Sequence, residues 1–239
     1  MYYETTYVAG KTIEVYKSKD KLSGPLSRGP TVKRTPEQIK ESNDRQARKK
    51  LTRLINANFA DGDLFLTLTY QKAPTVDEAR NEVKKFVRNL KGRYERRGSP
   101  LKWILVTEYE NKRIHHHLVV NNPDDFNATK QISECWKKNG AVNSKALYGD
   151  GQYKKLAEYM VKETEKSINK GEITQRWTSS RNLIRPKPKV RKIRANSWQP
   201  NPKPKKGYRI DEETIVNGVN GYTGHAFQSY TMVQYPQRE

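Results

Sequence analysis

The sequence predicts an α+β fold, in which helices pack on a largely antiparallel β-sheet. The stretch "DLFLTLTY" (63–70) alternates apolar and polar residues, as a half-buried strand does. The stretches "LKWILVTEYE" and "RIHHHLVVNN" predict two strands joined by a tight "NK" turn. Helix-start signals and apolar stripes at helical spacing lie between such strands. The predicted order β-α-β-β-α-β-α is that of an α+β sandwich.

The first predicted helix has a well-marked start. Thr35 is its N-cap, Pro36 takes the first helical position, and Gln38 completes a capping box. We expect this helix to extend to about Asn58 and to carry several basic residues. The segment before it, 1–34, predicts a strand-poor N-terminal extension with "SGPLSRGP" as a flexible break.

The elements that follow are predicted from the same kinds of signal. In the strand at 63–70, the leucines face one side, while Phe65, Thr67 and Thr69 face the other. The two threonines suggest a face that meets something polar, although threonine also simply favours strands. A second helix begins at Thr75, with Glu78 in a capping box. A short helix in "ATKQISECWKKNG", a strand at 141–148 and a helix over about 151–168 complete the set.

The composition indicates a polyanionic partner. The 239 residues contain 47 Lys and Arg against 26 Asp and Glu, a formal charge of +21. Such an excess favours nucleic acid, because basic side chains displace counterions from phosphates. A generally basic surface without a partner is the alternative. Cys135 is the single cysteine, which excludes an intramolecular disulfide and zinc sites built on several thiolates. The chain shows neither a membrane span nor a signal peptide, which predicts a cytoplasmic location.

The composition also suggests four segments. After the N-terminal extension at 1–34 we expect one folded domain over 35–175, then a basic arm at 176–209 and a tail at 210–239 to which the sequence assigns no role. The arm has twelve Lys and Arg and no Asp or Glu. Its prolines prevent regular helix, so we expect it to be extended and to contact phosphate.

Three of the four histidines are consecutive, at positions 115–117. If Asn111 and Lys112 form a two-residue hairpin tip, Glu108 lies across from His115 on the next strand. His115 and His117 then share a face with Glu108, while His116 points to the opposite side. Two imidazoles and one carboxylate predict a divalent-metal site with positions open for water and substrate. The alternative is a set of partly buried sheet histidines with ordinary hydrogen bonds.

The helix "GQYKKLAEYMVKETEKSI" carries a candidate nucleophile. Tyr153 falls on its packing stripe, whereas Tyr159 falls among lysines that cluster within about 60° on another side. These lysines are Lys155, Lys162 and Lys166. A phenol is a weak nucleophile at neutral pH, but a metal on the phosphate and nearby ammonium groups would offset this. A surface tyrosine on a basic DNA-facing helix is the alternative.

Taken together, these motifs resemble the HUH endonucleases, in particular the rolling-circle replication initiators of plasmids and phages. "FLTLTY" is similar to their first motif, "RIHHHLVV" to the His-hydrophobic-His motif and "YMVK" to the Tyr-x-x-Lys motif. The resemblance covers about 35–185, including "RLINANFADGD" and "TSSRNLIRP". It implies a Rep nuclease fold with a ferredoxin-like core.

The resemblance also implies a reaction and its residues. His115 and His117 would bind Mn²⁺ or Mg²⁺ with Glu108 as third ligand. Tyr159 would cleave origin DNA, as a single strand or within a hairpin, leaving a 5′-phosphotyrosine and a 3′-OH that primes a host polymerase. Lys162 would assist. The expected DNA contacts are Thr67, Thr69, Arg113, Lys155, Lys166, Arg181, Arg185 and Lys187.

Several departures and alternatives accompany the resemblance. The middle residue of the histidine motif is usually hydrophobic; here it is His116, which could compete as a ligand. Tyr153 lies six residues before Tyr159 on another face, which favours a single-tyrosine enzyme. No Gly-x-x-x-x-Gly-Lys-Ser/Thr pattern is present, so we expect a host helicase to be borrowed. A relaxase or transposase is the alternative within the superfamily, and a non-catalytic nucleic-acid-binding protein is the alternative outside it.

Overall fold

The computed structural model describes residues 1–19, 35–109, 113–124, 126–165, 175–221 and 223–236. Ten strands and four helices lie in these ranges. In chain order they are β1 (Tyr2–Ala9), β2 (Thr12–Ser18), α1 (Pro36–Asn58), β3 (Leu64–Leu68), α2 (Val76–Glu95), β4 (Trp103–Glu108), β5 (His115–Val120), α3 (Ala128–Trp136), β6 (Val142–Ala146), α4 (Lys154–Lys162), β7 (Thr178–Ser179), β8 (Lys189–Ile193), β9 (Tyr208–Val219) and β10 (Ala226–Gln234).

The chain forms two compact units. The terminal unit comprises Met1–Ala57, Asp150–Gln152 and Ile184–Glu239, and the central unit comprises Asn58–Gly149 and Tyr153–Leu183. Each contains a five-stranded sheet whose pairs are all antiparallel. The α+β class predicted from the sequence is therefore confirmed. No helix within the described ranges combines the length and apolar character needed to cross a membrane.

The central unit has the predicted order of elements, β3-α2-β4-β5-α3-β6-α4. Its strands lie in the order β6-β3-β5-β4-β7, so that β5 is central. The leucines of β3 alternate into a core that α2 and α3 cover, through residues such as Phe86, Ile132 and Trp136. The helix α4 lies on the other face of the sheet, where the Tyr159 ring meets Phe65. The central strands are thus buried on both sides, which holds their side chains rigidly.

The predicted helix starts are present in the structure. Thr35 and Gln38 exchange both capping-box hydrogen bonds, at 3.1 and 3.3 Å, and Thr75 forms the same arrangement with Glu78. The helix α4 begins at Lys154, three residues later than predicted, because Asp150 and Gly151 both have positive φ (52° and 80°) and cannot belong to a right-handed helix.

The terminal unit corrects three of the sequence predictions. The strand-poor interpretation of 1–34 is wrong for Tyr2–Ser18, which forms the β1–β2 hairpin; 20–34 lies outside the described residues. The predicted arm at 176–209 contributes β7 to the central sheet and β8 to the terminal sheet, and the tail at 210–239 contributes β9 and β10 to the terminal sheet. The sheet order β8-β1-β2-β10-β9 pairs strands from both ends of the chain. The hairpin strands β1 and β2 therefore pair with β8 and β10, which lie far away in sequence, and local patterns do not report such partners.

The helix α1 packs on one face of the terminal sheet. The Arg53 guanidinium lies 3.5 Å from the centre of the Tyr7 ring and donates to both carboxylate oxygens of Glu14, at 2.6 and 2.8 Å. The β1–β2 turn approaches the helix so closely that a Cβ at Gly10 would lie 2.0 Å from the carbonyl oxygen of Asn56. Gly10 also has a φ of +55°, so this turn needs glycine for two reasons.

Candidate active site

The β4–β5 pairing brings the predicted metal-binding residues to one face. Glu108 lies directly across from His115, in the register predicted from the sequence, and Val106 lies across from His117. The hairpin tip at 110–112 lies outside the described residues. Glu108 Oε2 is 3.7 Å from His115 Nδ1 and 3.5 Å from His117 Nε2. One carboxylate oxygen therefore faces both imidazoles.

The His117 ring is fixed by the neighbouring strand β3. Thr67 lies across from it, and the Thr67 hydroxyl is 3.3 Å from His117 Nδ1. The Phe65 ring stacks parallel to the imidazole, with centroids 5.8 Å apart and an interplanar angle of 2°. The hydroxyl and the stacked ring leave Nε2 directed at Glu108. Burial lowers the pKa of His117, which favours the neutral imidazole that a metal requires.

His116 is on the opposite face, as predicted, and its contacts give it a structural role in the core. It is fully buried, its Nε2 is 2.8 Å from the Tyr70 hydroxyl, and its Nδ1 is 2.9 Å from the Thr107 hydroxyl. Burial, with the two neighbouring histidines, lowers the pKa of His116 to about 3. Both ring nitrogens have partners in the core, so His116 is separated from the cluster on the other face.

The helix α4 and the residue that caps its C-terminus, Glu163, each supply one further side chain to this face. The Tyr159 ring lies edge-on to His117, with centroids 5.4 Å apart, and 42% of the residue is exposed. Glu163, one helical turn later, completes a group with Glu108 and His117 in which the potential ligand atoms all lie within 4.8 Å of one another. His115 lies next to this group, because its Nδ1 is 3.7 Å from Glu108 Oε2.

Sequence reasoning missed Glu163. The signal that could have found it is its spacing, because a residue four positions after Tyr159 lies only about 40° away on a helix. Spacing does not say which side of α4 faces the sheet. The fold places the side with Tyr159 and Glu163 over β5, the strand that carries His117.

The electrostatics of the cluster fit a divalent cation. Burial, together with the charge of Glu108 and a hydrogen bond to it, raises the pKa of Glu163. Burial and the same two carboxylates also raise the pKa of Tyr159. Two carboxylates held this close repel each other when both are ionised, and a cation between them removes that repulsion. The oxygen and imidazole donors suit metals such as Mn²⁺.

Tyr153, the N-cap of α4, and the described lysines of this segment are arranged as the helical projection predicts. Tyr153 is buried, and its hydroxyl donates to Asp61 at 2.7 Å. Lys155 and Lys162 are exposed on the side of Tyr159, and Lys166 lies outside the described residues. Of the two tyrosines, only Tyr159 is therefore both accessible and next to the cluster.

The predicted DNA contacts are dispersed. The Thr67 hydroxyl meets His117, and the Thr69 hydroxyl donates to the carbonyl of Ala141 at 3.4 Å, so each has a local partner. Four described basic residues among the predicted DNA contacts lie outside α4, and all four are exposed. Arg113 and Arg181 belong to the central unit, and Arg185 and Lys187 belong to the terminal unit. Their contact with DNA stays a prediction.

One comparison with known proteins gives a match. The model of a replication-associated protein family, the ORF2 family, matches residues 63–167. The matched segment runs from β3 through α4 and contains Glu108, His117, Tyr159 and Glu163. The match supports a replication initiator. It also supports DNA as the partner that the basic composition indicates. No curated protein and no solved structure matches the chain.

Proposed function

We propose that the protein is a replication initiator of the HUH type that nicks and rejoins single-stranded origin DNA through a 5′-phosphotyrosine. The observation that carries this proposal is the position of Tyr159, whose ring contacts His117 beside two carboxylates. An accessible phenol next to a cation site is the arrangement that tyrosine-dependent phosphoryl transfer requires. The segment that holds it is the one similar to replication-associated proteins.

Glu108, His117 and Glu163 would hold the divalent metal, Mn²⁺ or Mg²⁺, with His115 as an additional ligand. When bound, this cation supplies positive charge that polarises the scissile phosphate. Thr67 and Phe65 position the His117 ring, which is the support that a ligating histidine needs. The negative charges of Glu108 and Glu163 raise the pKa of Tyr159. A bound cation would offset these charges, so that they would no longer disfavour ionisation of the phenol.

In the proposed step, the phenolic oxygen of Tyr159 attacks the phosphorus and the bond to the 3′ oxygen breaks. The phenol loses its proton and the leaving oxygen gains one, so the products are a 5′-phosphotyrosine and a 3′-OH. One phosphodiester replaces another, and rejoining therefore needs no ATP. Lys162, on the exposed side of α4, would stabilise charge or move a proton in the transition state.

The products fit the start of rolling-circle replication. A free 3′-OH is a primer for a host polymerase, and the covalent link retains the 5′ end until the strands are rejoined. Duplex unwinding would come from a host helicase. The match to replication-associated proteins favours this use of the reaction over conjugative transfer or transposition.

The test is covalent attachment. Wild-type protein is incubated with 5′- and 3′-labelled origin oligonucleotides and Mn²⁺, then resolved on a denaturing gel. We expect a protein–DNA band that carries only the label downstream of the nick. Tyr159→Phe, which removes one hydroxyl and leaves the ring against His117, should give no band, whereas Tyr153→Phe should give a near-normal amount. Absence of the band with all origin sequences would contradict the proposal and favour a non-catalytic DNA-binding protein.

A further inference from the structure

The terminal unit contains a cavity of about 440 Å³ that the proposed reaction does not use. Its lining includes three aromatic and three basic side chains: Tyr2, Trp198, Tyr230, Lys17, Lys203 and Lys205. Apolar residues of the sheet core, such as Val15 and Met232, complete it. Aromatic rings interleaved with lysines are the composition of a nucleic-acid site.

The cavity lies on the face of the terminal sheet opposite to α1. Strand alternation places Tyr2, Glu4 and Thr6 on the cavity face, and Tyr7 on the other face, where Arg53 covers it. The register extends the cavity face across the sheet, since Lys17 lies between Glu4 on β1 and Gln228 on β10. The cavity therefore has the sheet as its floor.

The segment between β8 and β9 forms the opposite wall, and Gln228 fixes it there. Gln228 is fully buried, and its amide nitrogen is within 2.9 Å of the carbonyl oxygens of Gln199 and Pro200. The Asn217 amide donates to the Pro200 carbonyl at 3.2 Å. The Tyr2 ring meets Trp198 edge-on, with centroids 5.1 Å apart. The wall is thus held by the sheet, which makes the cavity preorganised rather than a chance gap between loops.

The charge of the cavity suits phosphate. The Lys17 ammonium donates to Gln228 Oε1 at 3.2 Å and lies 5.3 Å from the centre of the Tyr230 ring, while Lys203 and Lys205 are exposed at the rim. Glu4 is the acidic residue of the lining. It lies between two basic partners, Lys17 on one neighbouring strand and Arg191 on the other. Positive charge therefore exceeds negative charge on this face.

We propose that this cavity binds single-stranded DNA, with an unstacked base against Trp198 and the flanking phosphates on Lys203 and Lys205. A half-buried indole offers a surface on which any base can stack. Bases of a duplex are already stacked within the helix, so the cavity favours a single strand. The proposal goes beyond the nicking reaction, because binding here requires neither a metal nor Tyr159.

Binding of fluorescein-labelled dT20 to the full chain in EDTA tests the proposal. We expect Trp198→Ala to raise the Kd about tenfold, the scale of one lost stacking contact, and Trp198→Phe to raise it much less. Lys203→Ala should weaken binding more than Lys192→Ala, a matched charge loss on the opposite face of the sheet, since Lys192 pairs with Tyr3. A 20-bp duplex should be affected far less by Trp198→Ala than dT20.

Ultraviolet cross-linking of the wild-type chain to 5-iododeoxyuridine in the same oligonucleotide gives an answer that does not depend on how the variants fold. Cross-linked peptides that contain Trp198, Tyr2 or Tyr230 would support the proposal. Cross-links confined to 58–183, an unchanged Kd for a folded Trp198→Ala variant, or equal weakening of single-stranded and duplex binding would overturn it. Because the assay contains no metal, its outcome is separate from whether Tyr159 forms an adduct.

Discussion

The two sheets of this protein have the same number of strands and the same antiparallel pairing but opposite chemistry. The central sheet presents two carboxylates, histidines and a tyrosine at one place, which suits a cation and bond breaking. The terminal sheet presents lysines and aromatic rings around a cavity, which suits binding without reaction. Basic composition alone therefore does not locate function in this chain: the acidic cluster marks the candidate reaction centre, and the basic surface marks the candidate binding sites.

The largest expected effect separates the two sheets. His117→Ala removes a ligand from the cluster on the central sheet, and we expect it to reduce Mn²⁺-dependent cleavage by more than about 10²-fold, the upper cost of losing even an outer-shell partner. Binding of single-stranded DNA in EDTA should be retained. The assay is cleavage of labelled origin DNA, with His225→Ala in the terminal unit as the matched control. Normal cleavage by His117→Ala would show that the reaction does not take place at the central sheet.

The register within the central sheet predicts the behaviour of the other two histidines. We expect His115→Ala to impair cleavage through the loss of a ligand next to Glu108. His116→Ala acts differently, because His116 is buried between Tyr70 and Thr107, and it should lower the melting temperature instead. A folded His116→Ala variant that is inactive, together with normal cleavage by His115→Ala, would contradict this division.

A second effect concerns the basic residues of α4. Lys162→Ala should slow adduct formation by about 10²-fold if its ammonium stabilises charge in the transition state. Lys155→Ala removes the same charge from the same helix, one turn before Tyr159, and should change the rate far less. Single-turnover rates at saturating DNA distinguish a slower step from weaker binding. Equal effects of the two variants would mean that both lysines act only by general electrostatic attraction of the DNA.

A third effect tests whether Glu163 belongs to the metal site. The pKa of Glu163 is raised in the folded protein, so the folded chain holds this proton more tightly than the unfolded chain. Protonated Glu163 therefore contributes to the free energy of unfolding at low pH, and this contribution is lost as the pH rises through its pKa in the folded protein. At neutral pH in EDTA we therefore expect Glu163→Gln to raise the melting temperature, and Mn²⁺ to stabilise the variant less than the wild type. Glu158→Gln, on the same helix, should leave both measurements unchanged.

The smallest expected effect concerns phosphate contacts of the terminal unit. Truncation after Ile184 would remove β8, β9 and β10 and so destroy the terminal sheet, which makes substitutions the better test. The double variant Arg185→Ala/Lys187→Ala should reduce the slope of log Kd against log salt by about 1.4, at about 0.7 for each lost contact to a single strand. Lys137→Ala/Lys138→Ala, exposed after α3, is the matched control. An unchanged slope would exclude these residues as contacts.

The difference between the two sheets also explains what the sequence could predict. In the central sheet the site depends on one local pairing, because the β4–β5 hairpin joins consecutive strands, and a two-residue tip was enough to predict that Glu108 faces His115. The terminal sheet joins Tyr2 to Ile193 and Val15 to Tyr230, and no local pattern reports such distant partners. Its strands also carry charges such as Glu4, Glu14 and Lys17, which weaken their alternation.

The candidate site was predictable to the same limited extent. Strand alternation separated His115 and His117 from His116, and helical projection separated Tyr159 from Tyr153. Spacing from Tyr159 makes Glu163 a candidate but does not assign it to the site, because its role depends on which side of α4 meets β5, and that is decided by packing. The same holds for Thr67, which alternation predicted as polar-facing but whose partner, His117 Nδ1, is set by the β3–β5 register.

The central claim is that Tyr159 is the nucleophile, and the most direct measurement locates the bond itself. Adduct from wild-type protein and origin DNA in Mn²⁺ is trimmed with nuclease, digested with protease and analysed by tandem mass spectrometry. We expect a 5′-phosphonucleotide on Tyr159, within the peptide that also contains Met160. A nucleotide on Tyr153, on a histidine or on any other side chain, with Tyr159 unmodified, would contradict it.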